Sequence, residues 1–435
     1  MLRDDHKAAT LKLLYVCLMG AGLVITVQPQ PAPPSIYSLG QAAGTLALTA
    51  IAVQLVLASR WRILERGVGL DRIMRWHSAN AKFIALFVLL HPLLLFLRQL
   101  LKGDIMAPYT MYGTDILGGV IGAVIIGIIW ISVLKRKQLG LLYERWRLVH
   151  LLTYLLVAIG LSHSLLLGSD IKSGRPLYTW WLLLAAVSVA AVVYRYVVRR
   201  ITFAGSEYEV VANKLETHDV HTITLRPTDG TVLGHESGQF AFLTFTSEDL
   251  PVEEHPFTIA SAPGGDTISF SIKESGDFTA LLGKVERRDM AHVEGPYGVF
   301  SNRSMPGPFV LIAGGIGITP LMSMLRAMHK EGDTQPQTLL LYANRTQGDI
   351  AFLGELAAIE RGSDWLRVVH VLSKETVEGM RHGFVDGLVL SDEIEELTAP
   401  TYFICGPPPM MDALRTTLAE LGVPDDQVVT ERFAL

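Results

Sequence analysis

Hydrophobic residues are distributed unevenly along the chain and divide it into two halves. Residues 11–197 contain six apolar stretches of about 20 residues, the length that an α-helix needs to cross a bilayer core of ~30 Å. Six crossings return the chain to the side on which it began. The pattern predicts a six-helix transmembrane bundle with spans at 11–29, 39–58, 77–97, 113–134, 148–167 and 178–197.

The hydrophobic pattern changes after residue 201. Residues 207–300 alternate in short runs broken by turn residues, which is typical of an antiparallel β-barrel. Beyond them, buried strands such as 309–313 and 401–405 alternate with helical stretches such as 319–331, which indicates an α/β nucleotide-binding domain. We therefore predict a multidomain membrane protein with a membrane domain at 1–200, a barrel at 201–304 and an α/β domain at 305–435.

Composition supports a membrane protein and narrows its possible functions. Half of the 435 residues are hydrophobic, and the mean hydropathy is +0.34. The net charge of −5 and the absence of a basic tract argue against nucleic acid as a partner. The two cysteines, Cys17 and Cys405, cannot build a disulfide framework or a cysteine-rich metal site. Any redox cofactor must therefore have other ligands.

Arginines and lysines concentrate on one side of the predicted bundle. Fifteen lie in the leading tail, the second-to-third and fourth-to-fifth loops, and after the sixth span, against four (Arg98, Lys102, Lys172 and Arg175) on the other side. The positive-inside rule places the larger group in the cytoplasm. We predict a protein of the plasma (inner) membrane with both termini cytoplasmic. The first apolar stretch lacks a cleavage site and is expected to remain as a span.

Four histidines lie within the predicted spans: His77 and His91 in the third, His150 and His163 in the fifth. Ionisable side chains at membrane depth are costly and usually functional, and imidazole is a common axial ligand of haem iron. The 14- and 13-residue separations correspond to about 21 and 20 Å of helix. Because both helices run outward, His77 is level with His150, and His91 with His163. This arrangement predicts two bis-histidine b-type haems.

The rotation between these positions raises a question. At 100° per residue, His77 and His91 lie about 40° apart around their helix, but His150 and His163 lie about 140° apart. Either the fifth helix changes its winding near residues 160–162, or its imidazoles project from different sides. Structural histidines or a proton path would be the alternative function, but two matched pairs favour haem.

The barrel half contains a candidate cofactor-binding strand, residues 255–261 (His-Pro-Phe-Thr-Ile-Ala-Ser). An extended strand can place an aromatic ring and a hydroxyl against a flat cofactor, with a basic residue such as Lys273 for phosphate. Gly276 to Thr279 begin a predicted helix, whose amino terminus could bind a diphosphate. An ordinary helix cap fits Thr279 nearly as well.

Two loops of the α/β half follow buried strands. Residues 313–320 (Ala-Gly-Gly-Ile-Gly-Ile-Thr-Pro) open a helix, where glycines let the backbone approach a pyrophosphate. Cys405, Gly406 and Pro407 follow another strand, so they would lie at the same carboxyl edge of the sheet. Cys405 is either a core thiol or a nicotinamide contact, and its place on that edge favours the contact.

Arg345 follows a third strand of the α/β half, where it could bind a 2′-phosphate. That position favours NADPH as the electron donor. A solvated surface arginine is about equally consistent with the sequence, so NADH remains an alternative.

Four motifs together resemble those of the ferredoxin–NADP reductase superfamily: His255-Pro256-Phe257-Thr258, Gly295-Pro-Tyr-Gly298, Gly314-Gly315-Ile-Gly317-Ile-Thr319-Pro320 and Cys405-Gly406-Pro407. With the paired membrane histidines, roughly residues 39–435 resemble the NADPH oxidase and ferric reductase family in a compact prokaryotic form.

The resemblance implies roles for individual residues. His255, Phe257 and Thr258 would hold FAD, with Thr258 near the reactive edge of the flavin, and Thr279 would lie near the FAD diphosphate. The residue pattern itself adds Ser261, Lys273 and Gly276 as candidate cofactor contacts. Gly315, Gly317, Thr319 and Cys405 would serve the nicotinamide nucleotide. Phe433 would stack over the flavin where hydride arrives. Many relatives end at this aromatic residue, whereas Ala434 and Leu435 follow it here.

The sequence therefore predicts an NAD(P)H oxidase that transfers electrons from cytoplasmic NADPH or NADH through FAD and two haems to an acceptor outside. Dioxygen, giving superoxide, is favoured over a ferric chelate. No obligate protein partner is evident, although a membrane subunit that passes electrons to a periplasmic protein is a further alternative. A non-enzymatic scaffold or transporter with a degenerate reductase domain is the rival from another class, and it would be colourless.

Overall fold

The computed structural model describes residues 2–27, 35–103, 107–136, 138–140, 143–167, 171, 175–202, 207–247 and 249–432. The chain forms two compact units. One comprises Arg3–Val68 and Arg72–Thr202, and the other consists mainly of Phe203–Leu435.

The membrane unit confirms the six predicted spans. Its long helices are α1 (Leu2–Val27), α2 (Ile36–Ala58), α4 (Leu70–Leu101), α5 (Ala107–Leu134), α6 (Tyr143–Leu167) and α7 (Pro176–Val193). Six helical segments are long and apolar enough to cross a membrane, within the residues that the structure describes: Ala9–Val27, Ile36–Ala58, Arg72–Leu101, Leu117–Leu134, Arg145–Leu166 and Pro176–Thr202.

Two elements of this unit were not predicted. A short helix, α3 (Arg62–Val68), lies in the loop after the second span. The last span does not end as a regular α-helix, because α7 continues through a π-helical segment, Tyr194–Val198, into a final turn, α8 (Arg199–Thr202). Such π segments are rare and are often found at functional sites.

Small and branched apolar residues form the interior of the bundle. α2 buries Gly40, Ala42, Ala43, Ala47 and Ala50. Small residues let neighbouring helices approach closely in a membrane, where lipid tails are as apolar as leucine. The central cluster comprises Ala50, Ile51, Ile84, Ile125, Ile126, Ile129 and Leu156.

The predicted barrel is a six-stranded antiparallel sheet. Its strands are β1 (Glu207–Thr217), β2 (Val220–Pro227), β3 (Phe240–Thr246), β4 (Glu254–Thr258), β5 (Ile268–Lys273) and β6 (Met290–Tyr297), in the order β4-β3-β6-β1-β2-β5. A single bridge between Ile259 and Phe270 joins the two edges, so the sheet curls without closing fully. Its inward side chains, among them Phe245, Ile259 and Phe270, form one apolar core.

The α/β half has a six-stranded parallel sheet, as predicted. Its strands are β7 (Phe309–Gly314), β8 (Thr338–Asn344), β9 (Leu366–Leu372), β10 (Arg381–His382), β11 (Thr401–Cys405) and β12 (Val428–Glu431), in the order β10-β9-β8-β7-β11-β12. The helices are α9 (Ile318–Glu331), α10 (Leu353–Arg361), α11 (Gly387–Glu393) and α12 (Pro408–Glu420). Separate apolar cores cover the two faces of the sheet.

The order of strands locates the ligand crevice of this sheet. The chain proceeds from β7 outward to β8, β9 and β10, and then returns to β11 on the other side of β7. Ligands of open α/β sheets bind at the carboxyl ends of the strands where the order reverses. That point lies between β7 and β11, where the two glycine-containing loops begin.

Candidate functional site

His77 on α4 and His150 on α6 face each other. Their ring centroids are 6.1 Å apart, with an interplanar angle of 55°. Two imidazoles that share one iron have ring centres roughly 6 Å apart, because each nitrogen lies ~2 Å from the metal and ~1 Å from its own ring centre. The Nδ1 atom of each ring is buried and has no hydrogen-bond partner among the described residues. This pair is able to ligate a metal between the helices.

His91 and His163 lie against glycines of other helices. We call them the outer pair, and His77 and His150 the inner pair, after their predicted distance from the cytoplasm. His91 Nδ1 is 2.7 Å from the carbonyl oxygen of Gly40, and a Cβ at Gly44 would lie 2.9 Å from the same nitrogen. A Cβ at Gly119 on α5 would lie 3.0 Å from Cε1 of His163. The missing side chains therefore make room for both imidazoles. A bond from Nδ1–H of His91 to the carbonyl would leave Nε2 as its ligating nitrogen.

α6 answers the question raised by the spacing of its histidines. The helix is continuous from Tyr143 to Leu167, and Ser162 Oγ donates to the carbonyls of Ala158 and Ile159 within it. The winding does not change near residue 160. His150 and His163 therefore project from different sides of a regular helix, the first toward His77 and the second toward Gly119.

A chain of polar side chains surrounds the level of His77. Tyr15 Oη donates to Asn80 Oδ1 (2.8 Å), and Asn80 Nδ2 donates to Gln54 Oε1 and to the carbonyl of Ala50 (both 2.8 Å). Gln54 Nε2 then donates to the carbonyl of His77 (3.0 Å). These bonds tie α1, α2 and α4 together beside the inner histidine.

Further groups approach the inner pair from α6 and from the π-helical segment. Trp146 stacks on His150, with centroids 5.1 Å apart. Arg195 donates to the carbonyl of Ala58 and interacts electrostatically with both His77 and His150. Tyr196 Oη donates to Tyr154 Oη at 3.1 Å. The π segment thus brings a cation and a tyrosine toward the inner level.

The predicted FAD-binding strand is β4, at one edge of the curled sheet. Pro256 and Thr258 pair with Phe242 and Phe240 of β3. His255 stacks on Phe278 with ring centroids 3.9 Å apart, and its Nε2 lies 3.1 Å from Glu253 Oε2. Phe257 is half-buried, whereas Thr258 is only 6% exposed. The strand therefore holds the four motif residues in an extended row, as predicted.

The remaining candidate FAD residues contact their own domain. Ser261 Oγ accepts a hydrogen bond from the backbone N–H of Ser269 (3.1 Å), and Lys273 Nζ lies 2.9 Å from Asp219 Oδ2. Burial alone would raise the pKa of Asp219, but the hydrogen bond and charge of Lys273 outweigh it and hold that pKa below its ordinary value. Lys273 therefore has a partner that competes with any phosphate.

The helix predicted to start at Gly276 is instead a six-residue 3-10 helix, Thr279–Lys284. Thr279 Oγ1 accepts hydrogen bonds from the backbone N–H groups of Ser275 and Gly276, at 2.8 and 2.9 Å. The hydroxyl thus stabilises the turn that leads into the 3-10 helix, whose N-cap position is Phe278, and a contact of Thr279 with a diphosphate stays a prediction. The structure thus has a helix in this segment, but it is short and begins at Thr279.

The two strand-end loops of the α/β half touch through their backbones. A Cβ at Gly317 would clash with the carbonyl group of Cys405, and one at Gly314 would lie 2.8 Å from Pro407 Cδ and Met410 Sδ. A Cβ at Gly406 would lie 3.1 Å from Gly314 Cα. Gly315 differs, because it adopts a φ of +52° and no atom of the described residues lies within 4 Å of its Cβ position. Three glycines therefore serve the contact between loops, and Gly315 faces open space.

The other nucleotide candidates differ in exposure. Thr319 is buried, with its hydroxyl bonded to the carbonyl of Ile316, and Pro320 is buried beside it in the first turn of α9. Arg345 is exposed just beyond β8. Cys405 is fully buried, and burial, followed by the negative charge of Glu431, raises the pKa of its thiol well above the usual value. Phe433 lies outside the described residues.

Three known families match successive parts of the chain. Residues 43–161 match "Ferric reductase like transmembrane component", residues 208–301 match "FAD-binding domain", and residues 311–416 match "Oxidoreductase NAD-binding domain". This succession matches a ferric reductase and NADPH oxidase-like architecture.

Relatives of the family's reductase half are similar over about half of this chain. Ferredoxin–NADP reductase B of Sorangium cellulosum is 32% identical over 238 residues, which cover 52% of this chain and 97% of that protein. The reductase component of propane 2-monooxygenase from Mycolicibacterium goodii is 33% identical over 237 residues, and the match spans 66% of its length. A solved flavohemoglobin from Malassezia yamatoensis, 17% identical with a TM-score of 0.52, covers 92% of this chain and 98% of its own, a likeness of fold alone.

Several polar residues near His77 and His150 were not predicted from the sequence to belong to this site. Gln54 and Asn80 are polar residues inside apolar spans, and Asn80 lies three positions after His77 on the same helix face. This spacing could have indicated from the sequence that Asn80 lies beside His77. Nothing in the sequence indicated Arg195, because an arginine at the end of a span is the ordinary expectation of membrane topology.

Proposed function

We propose that this protein transfers electrons from cytoplasmic NADPH through FAD and two bis-histidine b-type haems to dioxygen outside the cytoplasm, giving superoxide. One observation carries the proposal: His77 and His150 face each other at 6.1 Å within a ferric reductase-like membrane unit. The same chain contains FAD- and NAD-binding domains, so an electron source and a membrane path belong to one oxidoreductase.

The membrane histidines fit two haems. His77 and His150 would hold the inner haem, since their separation suits one iron and their Nδ1 atoms are buried. His91 and His163 would hold the outer haem, with their imidazoles in space that Gly44 and Gly119 leave open. The contact of His91 with the Gly40 carbonyl favours one tautomer and so orients the other nitrogen.

The cytoplasmic half would place the donor against the flavin. FAD, when bound, accepts a hydride as two electrons, and haem carries electrons singly. The residues of the chain would position these cofactors. Thr258 lies on β4, where it would contact the flavin, and the Gly315 loop leaves space for a pyrophosphate at the start of α9. Cys405 is fully buried, and its carbonyl group packs against Gly317 of that loop. Arg345, exposed after β8, is our candidate for the 2′-phosphate of NADPH.

The acceptor follows from the coordination that we propose. His91 and His163 would both be used to hold the outer haem, which would supply electrons to an acceptor that is not itself held by these residues. Dioxygen is small enough to be such an acceptor and would leave as superoxide. The positive-inside bias supports a cytoplasmic location for both termini and an outward direction of transfer in the plasma membrane.

Anaerobic absorption spectroscopy of the purified protein tests the proposed path. We expect flavin absorbance and two b-type haems per chain before addition of NADPH, and flavin bleaching followed by reduced haem bands after it. A colourless protein would leave only the scaffold alternative. Flavin bleaching without haem reduction would contradict the path through the membrane.

A ferric-chelate reductase is the second candidate function, and the match of residues 43–161 to a ferric reductase-like component favours it. Cytochrome c reduction in air distinguishes the two. Inhibition by superoxide dismutase supports dioxygen as acceptor, whereas uninhibited reduction with fast reduction of a ferric chelate supports iron. The relatives named as reductase components make a periplasmic protein acceptor the third outcome, detectable as slow reduction of both small acceptors.

A further inference from the structure

One face of α9 binds the loop that follows the FAD-binding strand. Ser323 Oγ donates to the carbonyl of Ser261 (2.8 Å), and Arg326 Nη1 donates to the carbonyl of Ala260 (2.7 Å). Lys330 Nζ donates to the carbonyls of Pro263 (3.1 Å) and Gly264 (2.9 Å). The three donors are spaced i, i+3 and i+7, so they lie within about 60° on one side of the helix. We call them the α9 stripe.

The stripe joins two domains rather than parts of one. Residues 260–264 belong to the curled sheet, because Ala260 N donates to the Ser269 carbonyl. α9 belongs to the α/β half, where its apolar residues pack into the core. The carbonyls of Ala260 and Ser261 thus accept hydrogen bonds from side chains of the other domain. The stripe therefore determines how the 260–264 loop lies on the nucleotide-binding half.

Arg326 is the best-anchored member of the stripe. Its guanidinium makes two bonds to Glu355, at 2.7 and 2.6 Å, and lies 4.8 Å from the ring centre of Phe352. These contacts hold the planar guanidinium in place, so its hydrogen bond to the Ala260 carbonyl costs little additional side-chain conformational entropy. Hydrogen bonds from a charged donor are also stronger than neutral ones. Ser323 is fully buried, whereas Lys330 is exposed and contributes less.

The stripe connects the two places where the reactants are expected. α9 begins directly after the Gly315–Gly317 turn, the candidate nucleotide loop. The Ala260 carbonyl lies two residues after Thr258, the candidate contact at the reactive edge of the flavin. A shift of this loop along α9 would therefore change the distance between flavin and nicotinamide. A misplacement of about 1 Å can lower the rate of such a step on the order of 100-fold.

We propose that Arg326, supported by Ser323, is a positioning residue for hydride transfer from the nicotinamide to the flavin. In that step the C–H bond of the dihydronicotinamide breaks, and the hydrogen moves with both electrons to the flavin, so no further reactant is needed. The inference rests on the proposed function only for this first step. Arg326 touches neither reactant in this role and acts through the main chain of the 260–264 loop.

Anaerobic stopped-flow reduction of the flavin in the full-length, cofactor-loaded protein tests the role of Arg326. The variant Arg326→Met keeps the aliphatic stem and removes the donors. We expect the flavin-reduction rate at saturating NADPH to fall about 10- to 100-fold per bound FAD. The deuterium isotope effect with 4-deuterated NADPH should increase, because hydride transfer then limits the rate. Arg326→Lys, which can keep one charged donor, should lose less.

The matched control is Arg367→Met, which removes bonds of the same kind to Glu393 inside the α/β half and leaves the 260–264 loop untouched. Its flavin-reduction rate should equal that of the wild type. A merely structural role for Arg326 would lower the melting temperature or the FAD content without changing the rate or isotope effect per bound FAD. That result would overturn the proposal.

If Arg326→Met fails to fold, Ser323→Ala tests the same positioning role. We expect it to retain FAD and to slow flavin reduction less than Arg326→Met, and a wild-type rate in both Ser323→Ala and Arg326→Lys would also contradict the proposal. Failure of the proposed function gives a different result. In that case NADPH reduces the wild-type flavin but no haem, and the comparison of flavin rates between variants still applies.

Discussion

The two levels of membrane histidines are supported by different kinds of neighbour. Near His77 the neighbours are amides: Gln54 donates to its carbonyl, and Asn80 holds Gln54. Near His91 and His163 the neighbours are glycines, which matter for the space they leave. Substitutions near the inner pair should therefore act through lost hydrogen bonds, and those near the outer pair through steric displacement.

Removing an inner ligand should remove one haem. For His77→Ala we expect the haem content to fall from two to one per chain, with FAD content unchanged, because FAD belongs to the other unit. The measurement is pyridine haemochrome and flavin analysis of the purified protein. His329→Ala, at an exposed position on α9, is the control and should keep both haems. Two haems in His77→Ala would show that the ligand assignment is wrong.

Adding one methyl group at Gly44 should disturb the outer site alone. In Gly44→Ala the new Cβ would lie 2.9 Å from His91 Nδ1, so the imidazole has to move. We expect a changed low-spin signal for one haem in electron paramagnetic resonance, and a destabilisation of about 1–3 kcal/mol. Gly127→Ala on α5, where nothing lies within 4 Å, is the matched control. Identical spectra for the two variants would contradict this role of Gly44.

Single polar residues of the reductase half show what could not be predicted from the sequence. The motif identified Ser261, Lys273 and Thr279 as cofactor contacts, and these assignments stay predictions. In the structure each of the three bonds within its own domain: with Ser269, Asp219 and the turn at Ser275. The sequence gives the type of a residue but not the partner of its hydroxyl or ammonium group. Spacing alone therefore cannot distinguish a side chain that binds a phosphate from one that binds a neighbouring backbone group.

At the scale of elements, the contact of α1 with α2 and α4 depends on a small number of hydrogen bonds. Tyr15 comes from α1, Gln54 from α2 and Asn80 from α4. Apolar packing alone gives little specificity in a lipid environment, where the helices exchange similar contacts with lipid tails. The amide of Asn80 therefore sets the rotation of α4 at the level of the inner histidine.

Replacing Asn80 should loosen this three-helix contact. For Asn80→Leu we expect the free energy of unfolding to fall by roughly 1–3 kcal/mol. Asn80 takes part in three hydrogen bonds between helices, and each such bond in a membrane contributes about 0.6 kcal/mol on average and about 1.7 at most. The measurement is thermal or detergent-induced unfolding followed by haem absorbance. Ser162→Ala, whose hydroxyl bonds only carbonyls of its own helix, should change stability less. Equal stability of both variants would argue against the role of Asn80.

Periodicity predicted elements better than it predicted contacts between them. The strand at 401–405 has the predicted bounds, and α9 begins one residue earlier than predicted, because long apolar runs at a fixed period determine these elements. The π segment after α7 and the α9 stripe were not predicted. A π segment has the composition of an ordinary helix end, and side-chain bonds to distant carbonyls leave no periodic pattern.

At the scale of the whole molecule, the chain combines a membrane unit with a reductase unit of different composition. The charge bias around the six spans predicts that the reductase unit is cytoplasmic, so the nucleotide has to be supplied from that side. The parallel α/β sheet and the curled antiparallel sheet were both predictable from hydrophobic alternation. The sequence could not predict the relation between their loops, which depends on side chains far apart in the chain.

Sided membrane vesicles should reveal the direction of electron transfer. NADPH does not cross membranes, so we expect it to reduce the haems in inverted vesicles and not in sealed right-side-out vesicles. Detergent should restore reduction in the right-side-out preparation, which controls for inactive protein. Reduction of intact right-side-out vesicles by external NADPH would contradict the cytoplasmic placement of the reductase unit.

Because α6 is a continuous helix, the number of residues between His150 and His163 fixes the distance and the rotation between them. Thirteen residues of regular helix set both the depth and the direction of His163 relative to His150. Inserting or deleting one residue between them would rotate the distal imidazole by about 100° and shift it ~1.5 Å along the axis. This segment should therefore accept many changes of side chain but no change of length, so natural and engineered variation within it has to be sought among substitutions.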